Sequence, residues 1–151
     1  MLVFIVSACA VTEKPALDLP PLTLLPPPTP VFEGMCDDNP RILEGWLQTV
    51  DFQERDFVAL MNGTVSRSSE ELYFDVEQMA RLRDRVASAI VPDCAEEAHL
   101  LLLEIMGDVL VVYQSAVNGE EINITTVIDE NLPRFQSYEL LQDELLQRLN
   151  G

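Results

Sequence analysis

From residue 40 onward, apolar residues recur at steps of three and four, the spacing that gathers side chains on one face of a helix. The first run carries Leu43, Trp46, Leu47, Val50, Phe57, Leu60 and Met61. It opens at Asp38-Asn39-Pro40, a polar cap followed by proline at the first helical position, and stops at Asn62-Gly63. The second places Leu72, Val76, Met79, Leu82, Val86 and Ile90 inward. Ser68-Ser69-Glu70-Glu71 has the form of a capping box at its start, and the helix ends before Pro92.

The third run, from Pro92 to Gly119, is the one the others surround. Asp93 stands at the N-cap position with Glu96 three residues on, and Asn118-Gly119 offers a left-handed stop. Leu101, Leu102, Ile105, Val109, Val112 and Ala116 form its stripe, and Leu100, Leu103, Leu110 and Val111 widen it. A helix apolar on nearly every side belongs inside a bundle. Glu104 and Asp108 interrupt the apolar runs and argue against a membrane span, which needs about 20 apolar residues. A fourth helix begins near Thr125 or Thr126 and reaches Leu149, with Ile128, Leu132, Phe135, Tyr138, Leu141 and Leu145 as its stripe. Pro133 is expected to kink it or split it in two. Short connections make successive helices antiparallel. The expected fold is therefore all-α, an up-down-up-down four-helix bundle.

Thr12 to Glu33 holds seven prolines, including Pro20-Pro21 and Pro26-Pro27-Pro28. Such a segment favours polyproline II over helix or central strand. The reading is a disordered tether, able to reach ~80 Å between Ala10 and Met35 when extended, ahead of a folded part that starts at Cys36. The division expected is 1–8, 9–35 and 36–151.

Val6-Ser7-Ala8-Cys9 follows an apolar run and resembles the lipobox of bacterial lipoproteins: an aliphatic residue, two small ones, then cysteine. The resemblance covers four residues and says nothing of the helical part. It implies export, cleavage before Cys9, lipidation of Cys9 and a membrane-anchored, extracytoplasmic place in the cell envelope. The eight residues ahead of Cys9 hold no Lys or Arg, so a start further upstream is expected. With Cys9 lipidated, Cys36 and Cys94 remain. One precedes the first helix and the other lies in the first turn of the third, at the same end of an up-down-up-down bundle, so in an oxidising compartment they should pair.

The chain carries 26 Asp and Glu against 9 Lys and Arg, a net charge of −17. That balance repels phosphate backbones and excludes nucleic acid as a partner. Five acid pairs recur, at Asp37-Asp38, Glu70-Glu71, Glu96-Glu97, Glu120-Glu121 and Asp129-Glu130. Most stand at helix starts, where capping and the helix dipole account for them. Arg81, Arg83 and Arg85 read as a solvated face. Glu96-x-x-His99 has the spacing of ferritin-like di-iron sites, but those need two such motifs and this chain has one histidine. Glu96 and His99 are the metal candidates, and no metal or cofactor is expected. No nucleophile triad or phosphate-binding loop is present. The expectation is a non-catalytic domain with a structural or partner-binding role in the envelope. The alternatives are a small-ligand or metal-binding envelope protein, using His99 or Trp46, Phe57, Phe74 and Tyr113, and a degenerate ferritin-like enzyme.

Overall fold

The computed structural model describes residues 19–36 and 39–150. Cys9 with the apolar run before it, and Asp37-Asp38, lie outside the described residues. The four expected helices form: α1 (Pro40–Gly63), α2 (Ser69–Ala87), α3 (Glu96–Val117) and α4 (Ile124–Asn150). Each packs on the next and α4 closes back on α1, the ring of an antiparallel bundle. Val50, Phe57, Val76, Met79, Leu102, Ile105 and Tyr138 are fully buried between them.

Local chemistry sets the helix starts. Asn39 caps α1 by accepting from the Arg41 N–H at 3.2 Å, and Pro40 needs no partner at the first helical position. Ser68 and Glu71 form the full reciprocal capping box of α2. Gly119 ends α3 at φ +96°, where a side chain would be strained. The start of α3 differs from expectation. A 3₁₀ turn, Asp93–Ala95, precedes it and Ala95 is the cap residue. Asp93 instead accepts from the N–H groups of Cys36 (3.0 Å) and Cys94 (2.7 Å), so it joins two chain segments rather than capping a helix.

Helix α4 is not split: it runs as one helix through the exposed Pro133. Helix α3 is less enclosed than its composition suggests, since Leu100 and Val111 are exposed while Leu102, Met106 and Tyr113 are buried. By length and composition Asp93–Val117 would suffice to cross a membrane. In the bundle its Glu104 and Asp108 each bind Arg134 of α4, at 3.0 and 2.8 Å.

The Pro-rich segment departs most from expectation. Residues 19–36 are not a free tether but a strap lying along the bundle. Leu22 is buried, and its backbone is held on both sides: Asn118 Oδ1 accepts from its N–H (2.8 Å), while Asn118 Nδ2 and Gln114 Nε2 donate to its carbonyl (3.0 Å each). Arg83, expected on a solvated face, is buried and donates to the Leu25 carbonyl at 2.8 Å and to Asp84 at 2.7 Å. Further on, β1 (Val31–Phe32) pairs in parallel with β2 (Ile90–Val91), strands the helical periodicity gave no sign of. The physical reason is that polyproline backbone keeps its carbonyls free, and α2 and α3 present donors to them. Gly34 then turns the strap towards α1 at φ +95°, and a Cβ there would come within 2.7 Å of Ile42 Cδ1.

Candidate functional site

The two cysteines that follow Cys9 are joined. Cys36 and Cys94 form a disulfide, with Cα atoms 6.1 Å apart across a sequence separation of 58. It ties the end of the strap to the start of α3, and Asp93 reinforces it through the two N–H bonds described above.

The metal candidates part company in space. Glu96 is exposed in the first turn of α3, whereas His99 is fully buried, because it falls on the inward stripe with Leu102 and Met106. Trp46 Nε1–H donates to His99 Nδ1 at 3.3 Å, and the rings of Phe32 and Trp46 lie 6.3 and 6.2 Å away. Accepting at Nδ1 puts the proton of the neutral ring on Nε2, which has no partner among the described residues. Burial lowers the His99 pKa to about 4, so the ring is neutral at physiological pH. The aromatics do not share a chamber. Phe74 is exposed and packs on Tyr73, Phe57 meets Phe135, and Tyr113 exchanges a 3.0 Å hydrogen bond with Thr64.

A different site emerges between α1 and α4. Leu47, Val50, Phe57 and Met61 form the inward stripe of α1, and Glu54 occupies the same stripe, 7% exposed. It lines a cleft of about 600 Å³ whose other walls are Gln48, Asp51, Arg55 and Val58 on α1 and Glu139, Gln142, Asp143 and Leu146 on α4. Burial, then the Glu139 and Asp51 carboxylates, raise the Glu54 pKa to about 7; Arg55 opposes this. Tyr138 is fully buried beside it, its hydroxyl unpartnered among the described residues. Burial and the Glu54 and Asp51 charges hold that phenol well above its ordinary range. Periodicity marks Glu54 in the sequence: it is a carboxyl where the repeat calls for an apolar side chain. The α4 half of the cleft carries no such mark, because Glu139 and Asp143 look like any exposed acids. Chemically the cleft offers a cluster of negative charge with aliphatic edges, suited to holding a cation.

No protein family, curated protein or solved structure matches the chain.

Proposed function

We propose that this chain is a lipid-anchored, extracytoplasmic domain of the cell envelope, held to the membrane through Cys9 and acting as a structural or partner-binding module without catalysis of its own. The observation that carries the reading is the Cys36–Cys94 disulfide. Such bonds persist in oxidising compartments and are rare in the cytosol, which is where a lipobox-bearing chain would be delivered.

The docked strap refines what the anchor would do. Only residues 10–18 separate Cys9 from Leu19, a span of at most about 35 Å when fully extended. Leu19 to Pro21 lie against Ser68–Glu70 and Val117–Gly119, the end of the bundle that carries the α1–α2 and α3–α4 connections. Anchoring at Cys9 would therefore keep that end near the bilayer and turn the disulfide end outward. The test is fractionation with mass analysis of the mature N-terminus, in a strain that exports and lipidates proteins. Membrane partition with a lipidated Cys9 as first residue is expected, lost in Cys9→Ser. An unmodified chain continuing upstream through Ala8 overturns the reading.

A further inference from the structure

A carboxyl on the inward stripe of a helix opposes folding unless something answers its charge, and Glu54 is such a group, with its carboxyl on the wall of the α1–α4 cleft. Its side chain makes no hydrogen bond among the described residues, although it is 7% exposed. Its surroundings add to the cost. Asp51 and Arg55 face it from its own helix, and Tyr138, Glu139 and Asp143 from α4. The one cation there is already engaged: Arg55 lies 3.6 Å from Asp51 and 5.1 Å from the centre of the Phe52 ring. Glu139 and Asp143 make no ion pair among the described residues. The arrangement is unfavourable by itself and becomes favourable with a positive charge between the carboxylates, where repulsion turns into attraction.

We propose that the α1–α4 cleft binds a small organic cation, an ammonium or amidinium group carried on a short apolar body, with Glu54 as the buried carboxylate that receives the charge. Three features select this class. The volume of about 600 Å³ lies in the range of small-molecule sites. Leu47, Val58 and Leu146 give the apolar body a surface to cover. A bare metal ion is disfavoured because its ligand oxygens must converge. The one trio of His, Cys, Asp or Glu gathered within 4.8 Å among the described residues is Cys36, Asp93 and Cys94, at the disulfide. The Gln142 amide on the cleft wall supplies a polar contact for a hydrogen the carboxylates leave over.

The experiment is an amide-resolved NMR titration of the full chain with hexylammonium, with hexanol and calcium as separate arms. Saturable shifts confined to residues 47–58 and 139–146 are expected with hexylammonium. Hexanol should not saturate, and calcium should give weaker shifts without that confinement. Affinity should rise several-fold between about pH 6 and about pH 8 as Glu54 ionises, and fall about tenfold in Glu54→Gln. Asp143→Asn, at an exposed position, should weaken binding a few-fold and guards against a folding defect in the first variant. Shifts spread over the acidic surface, an unchanged response in both variants, or tighter binding of calcium would each overturn the proposal.

Discussion

Two buried ionisable residues give this protein opposite responses to pH. Glu54 titrates near 7 in the folded chain against an ordinary 4.5, so the folded state holds its proton more tightly than the unfolded state. Its contribution to stability is fully present below about 4.5 and is lost as pH rises through 7. His99 runs the other way. Its folded value near 4 lies below the ordinary 6.5, so its contribution is present above 6.5 and lost as pH falls through 4. Glu54→Gln should therefore match the parent protein near pH 4.5 and exceed it by up to about 3 kcal/mol at pH 8. Urea unfolding at the two pH values measures this, and a constant difference between the proteins would show that Glu54 titrates normally. The same subtraction removes the general self-repulsion of a chain with net charge −17, since that term is common to both.

At the scale of elements, the strap behaves as a fifth piece of the bundle rather than as a leader to it. Removing residues 1–18 leaves every strap contact named above in place and provides the reference truncation. Removing residues 1–35 should cost at least about 2 kcal/mol, since it takes away the buried Leu22 and leaves Arg83 and Asn118 without their backbone partners. Leu22→Ala alone should account for about 2 kcal/mol of that loss. Denaturant melts of the two truncations decide it; equal midpoints would mean the strap contributes no stability. Helix content should survive the longer truncation, because the helix caps and inward stripes lie after the strap.

For the whole molecule the disulfide matters through the loop it closes. Joining residues 58 apart removes freedom from the unfolded chain worth about 4 kcal/mol in the chain-entropy description, an upper figure. Cys94→Ser should lower stability by about 2–4 kcal/mol with little change in helical circular dichroism. Because Cys36 also terminates the strap, hydrogen exchange at Glu33 and Asp93, whose N–H groups bind Val91 and Gly34, should speed up in the same variant. Unchanged exchange there would mean that the pairing with β2 holds the strap by itself.

Much of this architecture is legible in the residues taken one at a time along the chain. Helical spacing, the Ser68–Glu71 box, Asn39-Pro40 and Gly119 are local signals, and the four helices follow from them with their order around the bundle. Short connections then bring Cys36 and Cys94 to one end, so the disulfide was legible as well. What lay beyond the sequence depended on partners far along the chain. Proline content marks residues 19–36 as extended but not as docked; docking rests on Asn118, Gln114 and Arg83, up to 96 residues away. His99 reads as a surface or metal-binding group until Trp46 and Phe32 are seen to enclose it. The acidic cleft exists only where α4 closes on α1 and sets Glu139 and Asp143 opposite Glu54. Periodicity records which way each side chain faces, and only the packed bundle records what it faces.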